Sequence, residues 1–323
     1  MVNLDPKDFS ILYELFVNSR QSSTKISKKT NINKSVVKYR IKKLEKNGII
    51  DSYCIIPDIQ KIGYQLYRFY ITLQFSSPGK EKEIISFLLD KKNSWRMESS
   101  QGKFDIILTF LIKHHEELID IYEEIMKKYS QYIKQISISQ SIEIFGFKPQ
   151  QIIIKNSNKK KHTNQLNKAN EDVLNPVNKK LLYLLNKNAK TPTLEIAKKL
   201  QVSIPTVISH MKNLEEMGAI KQYSLIINNE KIGFKRFILC FTFSDYKKID
   251  SIIHYFSLNS HVEEIHKTIG NYHLEILLHT NTLEHFHAIM HDFRKKYADE
   301  IKDCDYFIIN KLHMTPNQSD FFK

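Results

Sequence analysis

Apolar residues near the start of the chain recur at helical rather than strand spacing. Phe9, Leu12, Leu15 and Phe16 form one stripe behind Asp5-Pro6, which suits an N-cap followed by proline at the first helical position. A second, short helix is expected from Ser23 to Thr30, burying Ile26, and Asn31-Ile32-Asn33 breaks it. A third is expected from Lys34 to Asn47, closed by Gly48 in a left-handed cap. On its wheel Val37, Ile41 and Leu44 share one narrow face, while Ser35, Lys38, Tyr39, Lys42, Lys43 and Lys46 lie opposite. Ile49 to Ile56 is β-rich and reads as a wing strand. Three helices with a tight turn between the second and third, followed by this strand, predict a winged helix-turn-helix.

Past Gly63 the period changes. Tyr67–Phe75 is a strand pattern, Glu81–Leu89 an amphipathic helix, and Trp95–Ser100 and Phe104–Ile112 are strands around a Gln101-Gly102-Lys103 turn. Leu118–Tyr129 is helical, and Ile133–Phe145 alternates with a period of two. The order βαββαβ is the ferredoxin-like arrangement.

The whole pattern then occurs again. A shift of 170 positions, without a gap, lays Leu12-Tyr13 on Leu182-Tyr183, Val37 on Val207, Leu44-Glu45 on Leu214-Glu215 and Lys61-Ile62-Gly63 on Lys231-Ile232-Gly233. The later strands follow at a shift of 168, with Gly102 on Gly270. So long a period is a duplication of a whole two-part protein and not a solenoid. The fold class expected is therefore α+β: a winged helix-turn-helix followed by a ferredoxin-like βαββαβ domain, with the whole unit duplicated. Residues 1–60 and 61–149 make the first unit, 150–172 a polar, basic and flexible linker, and 173–230 and 231–323 the second unit. The two βαββαβ domains are expected to pair back to back, making the chain a covalent pseudo-dimer.

Charge sharpens the picture. With 49 Lys and Arg against 35 Asp and Glu, the net charge is +14, which favours an anionic partner. The third helix concentrates that charge. Lys34, Ser35, Lys38, Tyr39, Arg40, Lys42 and Lys43 are the candidate contacts to double-stranded DNA, with Lys and Arg for phosphates and the hydroxyls for phosphates or base edges. The second copy keeps its core stripe as Val207, Met211 and Leu214, but its outward face is weaker. Ser209, His210, Lys212 and Asn213 are its candidate contacts, beside Pro205 and Ile208.

Other chemistry is excluded or unsupported. The three cysteines, Cys54, Cys240 and Cys304, are scattered and lack metal-ligand spacing. No signal-peptide core or membrane-length apolar run is present, so a cytoplasmic setting is expected. No catalytic triad, phosphate-cradling glycine loop or paired carboxylate stands out, and no cofactor is expected. Nine of thirteen histidines lie beyond residue 250. His287 and His291 have the i, i+4 spacing of metal ligands, but no third ligand completes a motif.

The run Asp8-x-x-Ile11-Leu12, Ile26-Ser27 and Val37-x-x-Arg40-Ile41-x-x-Leu44-Glu45-x-x-Gly48-Ile49-Ile50 resembles the Lrp/AsnC family of transcription regulators. So does the pairing with a βαββαβ domain that carries Gly102-Lys103-Phe104-Asp105. The resemblance implies DNA binding through the third helix, dimerisation and a higher homo-oligomer through the sheets, and an amino-acid effector near Gly102, Lys103, Phe104 and Asp105. The second half departs from the pattern at Asn178, His210 and His273, where the first has Asp8, Arg40 and Asp105. A rival reading is an enzyme similar to sirohaem decarboxylases of the same superfamily. Those carry a His-x-Tyr-Asn-like strand, which neither Gln101–Ile106 nor Ile269–Leu274 reproduces.

Overall fold

A computed structural model of the chain describes residues 4–146, 162–164 and 174–313. The first unit runs α1 (Pro6–Val17), α2 (Ser23–Thr30), α3 (Lys34–Lys46), β1 (Ile50–Pro57), β2 (Gln65–Leu73), α4 (Pro78–Leu89), β3 (Ser94–Gln101), β4 (Ile106–Ile112), α5 (His115–Tyr129) and β5 (Ile133–Gly146). A short β6 (His162–Asn164) lies against the end of β5. The rest of the expected linker is outside the described residues. The second unit repeats the order as α6 (Pro176–Lys187), α7 (Thr193–Leu200), α8 (Ile204–Glu216), β7 (Ile220–Ile227), β8 (Lys235–Phe243), α9 (Ile249–Ser257), β9 (Val262–Gly270), β10 (Leu274–Thr280), α10 (Leu283–Tyr297) and β11 (Ile301–His313).

Local signals set the elements. Asp5 caps α1 by accepting from the amides of Lys7 and Asp8, and Pro6 occupies the first turn. Gly48, at φ +63°, turns the chain out of α3 as the left-handed cap requires. One strand is shorter than its pattern. The expected run to Phe75 stops at Leu73, because Phe75 itself adopts a left-handed φ of +50° and stands exposed.

The wing expectation needs correction. β1 does not fold back on its own module. It pairs antiparallel with β7 of the other half, with Tyr53 opposite Leu225 and Ile55 opposite Tyr223. The ribbon also exchanges core residues. Ile55 and Ile62 pack into the second helical core among Leu181, Leu185 and Val207, and Leu225 packs into the first among Ile11, Leu15 and Val37. A single two-residue-period strand satisfies one edge only, and the nearest equal partner is its own repeat.

Back-to-back sheets are likewise corrected. Within each half the strand order is ferredoxin-like: β5-β2-β4-β3 and β9-β10-β8-β11. The halves then join at both edges, β3 with β11 and β5 with β9. With β6 set aside, the remaining strands close into a ring. Among the described residues, closure gives every ring strand a partner on both sides, whereas two separate stacked sheets would expose edge amides.

Side chains alternate across this ring. Phe69, Ile71, Leu108 and Phe110 point outward under α4 and α5; Phe237, Leu239, Phe241 and Ile276 point outward under α9 and α10. The inward positions are of two kinds. Tyr70, Phe104, Ile107, Ile238, Cys240, Tyr272, Leu277 and Phe307 form an apolar plug. Next to it lie buried Arg68, Glu98, His266 and Glu275.

Candidate nucleic-acid interface

The helix-turn-helix of the first half is built by short polar caps. Ser22 opens α2 by accepting from the Lys25 amide, and Asn31 ends it at φ +54°. Asn33 opens α3 by accepting from the Ser35 amide at 2.9 Å and from the Ser35 hydroxyl at 2.8 Å. Val37, Ile41 and Leu44 are buried against Ile11, Leu12, Leu15 and Ile26. That orientation turns Lys34, Ser35, Lys38, Tyr39, Lys42, Lys43 and Lys46 to the surface, with Tyr39 66% exposed. The structure thus brings together six of the seven expected first-half contacts on one face. Part of the Ser35 hydroxyl's capacity is held by the cap.

Arg40 is the exception. Its guanidinium donates to Asp5 at 2.6 Å and to Asp8 at 2.8 Å. It ties α3 to the start of α1, so its charge faces two carboxylates and not the outward surface. Those two hydrogen bonds hold its pKa above the ordinary arginine value. The equivalent position in the second half behaves alike: His210 bonds Asn178 through Nδ1 at 2.7 Å. His210 therefore leaves the outward set as well. The departures at 178 and 210 are one coupled exchange, completed by Asn175 in place of Asp5. Asn175 still caps α6 by accepting from the Asn178 amide.

On α8 the outward face carries Ile204, Pro205, Ile208, Ser209, Lys212 and Asn213, all exposed. Ile208 is 54% exposed. Lys212 pairs with Glu216 at 3.6 Å, which reduces the one cation available there. The two faces differ in kind: basic on α3, mixed apolar and polar on α8.

The ends of the two recognition helices are each held by a tyrosine of their own half and a lysine of the opposite half. Tyr53 donates to Glu45 of α3 at 2.6 Å, and Tyr223 to Glu215 of α8 at 2.7 Å. Burial, then the facing carboxylate, pushes both phenols above their ordinary range. Lys231 reaches the Asn47 carbonyl at 2.9 Å, at the end of α3, and Lys61 reaches the Met217 carbonyl at 3.2 Å, at the end of α8. A lysine at a helix C-terminus meets the negative end of the dipole. The Lys-Ile-Gly repeat marked these residues in the sequence, but only as a sign of duplication.

The Gly102–Asp105 turn sits at the rim of the barrel. Gly102 has φ +139°, and a Cβ there would come within 2.9 Å of the Tyr306 carbonyl oxygen. Lys103 pairs with Asp305 at 2.8 Å, Phe104 enters the apolar plug, and Asp105 accepts from the Leu73 amide at 2.7 Å. In the second copy the His273 ring accepts from the Phe243 amide at 3.0 Å, the same bond made by a different acceptor. Burial first, and then Lys302, lowers the His273 pKa, which suits an unprotonated acceptor. His287 and His291 are exposed on α10, and among the described residues no group of three His, Cys, Asp or Glu is placed to hold a metal. Among those residues, no helix is long and apolar enough to cross a membrane.

Residues 4–51 and 174–221 each match the winged helix-turn-helix DNA-binding family. The chain is 29% identical over 148 residues to an uncharacterized HTH-type transcriptional regulator, PH0061, of Pyrococcus horikoshii, covering 45% of this chain and 92% of that protein. It is 28% identical over 141 residues to the regulatory protein AsnC of Haemophilus influenzae, covering 42% of this chain and 90% of that one. Both repeats therefore carry a winged helix-turn-helix of that family, and the regulators that the chain resembles include AsnC. Each of these relatives matches under half of this chain, about the length of one repeat. A solved structure that spans nearly all of both chains is the sirohaem decarboxylase NirDL, at TM-score 0.65 and 13% identity, covering 98% of this chain and 97% of that one. That likeness shows a shared two-unit fold.

Proposed function

We propose that this chain is a tandem regulator of the Lrp/AsnC type, a sequence-specific DNA-binding transcription regulator and not an enzyme, acting as a covalent pseudo-dimer. The observation that carries the proposal is the exposed, nearly one-sign face of α3 on a module clamped to its twin. Lys38, Lys42 and Lys43 would neutralise phosphates, and Tyr39 and Ser35 would reach base edges or phosphates. The second module would contribute apolar contact through Ile208, for instance to a thymine methyl, and polar contact through Ser209 and Asn213. Unequal faces on a fixed frame favour an imperfect palindrome with half-sites about one helical turn, or a multiple of it, apart.

The test is binding to duplexes selected from a random pool. Changing Lys38 and Lys42 to Ala should weaken binding and flatten the log–log salt slope by about 0.9 per lost phosphate contact. A consensus with perfect dyad symmetry, or an unchanged salt slope, would overturn the assignment. The rim turn at Gly102–Asp105 is the candidate seat of an amino-acid effector, with Lys103 as the exposed charge. An effector there should shift DNA affinity and lose that effect in Lys103→Ala.

The whole-chain fold likeness favours one second reading, a sirohaem-processing enzyme. At the rim strand where those enzymes resemble His-x-Tyr-Asn, this chain has Tyr272, whose hydroxyl is bonded to Asp305 at 2.6 Å, and His273, already engaged by a backbone amide. Added sirohaem should therefore leave its visible spectrum unshifted and yield no product.

A further inference from the structure

The barrel interior holds more buried charge than the fold needs. Arg68 and Glu275 form an ion pair with side chains 1% and 0% exposed, one from each half. Arg236 of the second half reaches Glu98 of the first at 3.2 Å, and Arg96 of the first reaches Glu264 of the second at 3.6 Å. His266 bridges both halves, taking Arg68 at 3.0 Å and Ser141 at 3.0 Å on its two ring nitrogens. His279 and Glu263 extend the network at 2.6 Å.

The pseudo-symmetry shows what these charges discriminate. The registers Tyr70–Ile107 and Cys240–Glu275 are equivalent ladder positions, and so are Met97–Leu108 and Ile265–Ile276. By that equivalence Arg68 corresponds to Ile238, Ile107 to Glu275, Leu66 to Arg236, and Arg96 to Glu264. Two first halves paired through the same ring would set Arg68 against Ile107, Glu98 against Leu66, and Arg96 against Arg96. Two second halves would set Glu275 against Ile238, Arg236 against His266, and Glu264 against Glu264. Glu98 also has Arg96 at 3.4 Å and Arg236 has Glu263 at 3.5 Å within their own halves, so the discrimination rests on Arg68 with Glu275 and on Arg96 with Glu264, which meet opposite charges across the seam only between unlike halves. An unpaired charge in such an interior is strongly disfavoured, and like charges more so.

We propose that the buried and half-buried charges of the barrel are a pairing code: each half accepts the other half of this chain as its partner and rejects a second copy of itself. The code rests on the fold and holds whether or not the chain binds DNA. It is the same logic by which polar residues at buried positions select partners elsewhere, here applied between the two products of a duplication.

The test uses the full-length protein with a specific protease site inserted between residues 155 and 162. After cleavage, the two fragments are unfolded in urea, refolded together, and weighed as intact complexes by native mass spectrometry. Wild type should return mixed pairs in at least tenfold excess over like pairs. Neutralising the code with Arg68→Ile, Glu275→Ile, Arg96→Gln and Glu264→Gln should move the products toward the statistical mixture, half of it like pairs. A second variant guards against a folding failure of the first. Arg96→Glu with Glu264→Arg keeps the charges opposite, so its fragments should still form mixed pairs. When refolded together with cleaved wild type, they should sort with each other. Like pairs from wild type, random sorting of the swapped fragments, or exclusively mixed pairs from the neutralised variant would each overturn the proposal.

Discussion

If Arg40 is a brace between α1 and α3, its loss should be repaired from inside the molecule. The second half supplies the template: Asn175, Asn178 and His210 occupy the corner held by Asp5, Asp8 and Arg40 in the first. The guanidinium is 21% exposed and the Asp8 carboxylate 9%. The pair therefore lies between an exposed ion pair, which contributes about 0.2–1 kcal/mol, and a buried one, whose rupture costs roughly 3–5 kcal/mol. Arg40→Ala should cost about 1–3 kcal/mol of local stability. The triple variant Asp5→Asn, Asp8→Asn, Arg40→His should stay within about 1 kcal/mol of wild type, since asparagine caps a helix as well as aspartate. Arg40→His alone should leave a histidine facing two carboxylates. Its folded pKa would rise above 6.5, so the stability it contributes is full below pH 6.5 and fades as pH rises through the folded value. Native-state hydrogen exchange at the Ile41 and Leu44 amides reads the local opening energy without assuming two-state unfolding of the whole chain. DNA affinity of the triple variant should match wild type within about twofold, under one unit on the scale where 1.4 kcal/mol is tenfold. Additive losses in the triple, or a large fall in DNA affinity with stability intact, would refute the brace.

Further expectations concern the barrel. Arg68→Met should destabilise the fold by roughly 3–5 kcal/mol by stranding Glu275, whereas Arg68→Met with Glu275→Met should be near neutral; calorimetric melting checks both. Stability should fall with acid in two stages. Burial first, then Arg68, lowers the His266 pKa, so its contribution is full above pH 6.5 and is lost as pH falls through the folded value. Burial pushes Glu263 upward, but Arg236 and His279 outweigh it and bring it to about 2; Glu264 is also held well below its ordinary value. Their share is full above pH 4.5 and is lost between there and about pH 2, so a melting series at pH 7.5, 5.5 and 3 should step down twice. Gly270→Ala places a Cβ against the Ile138 carbonyl oxygen at φ +127°, on the β5–β9 seam. It should lower stability by roughly 2–4 kcal/mol, and by more than Gly102→Ala does at the β3–β11 seam.

What was legible in the sequence was what is local. Val37, Ile41 and Leu44 announce a helix and its buried face by spacing alone, and the Gly48 cap and the βαββαβ order follow from neighbours in the chain. Partners far along the chain were not legible. Ile50–Ile56 reads as a strand, but nothing in it names β7 as its mate, so a local wing was the natural reading. Arg40 was misplaced because a recognition helix is expected to show its cations outward. The signal against it was the joint change of Asp5, Asp8 and Arg40 between the copies. Arg68 and Glu275 each break an otherwise apolar alternation. In a half-solvated sheet such residues face water, and only closure of the ring turns them inside.

The closed ring also has a consequence for the chain as it is made. Gln101 on β3 pairs with Ile308, and β5 pairs with β9, so the partners arrive more than a hundred residues later, for β3 about two hundred. At roughly 5–20 residues per second, the first half leaves the ribosome with open strand edges for some 10–40 s before β11 emerges. Bare edges recruit whatever strand is near. During that interval Arg96 and Glu98 stand on β3, and Ser137, Ser139 and Ser141 on β5. Charges pointing inward from one edge and hydroxyls from the other make both poor templates for a stray strand. The nascent half is thus shielded in the time before its own second half reaches it.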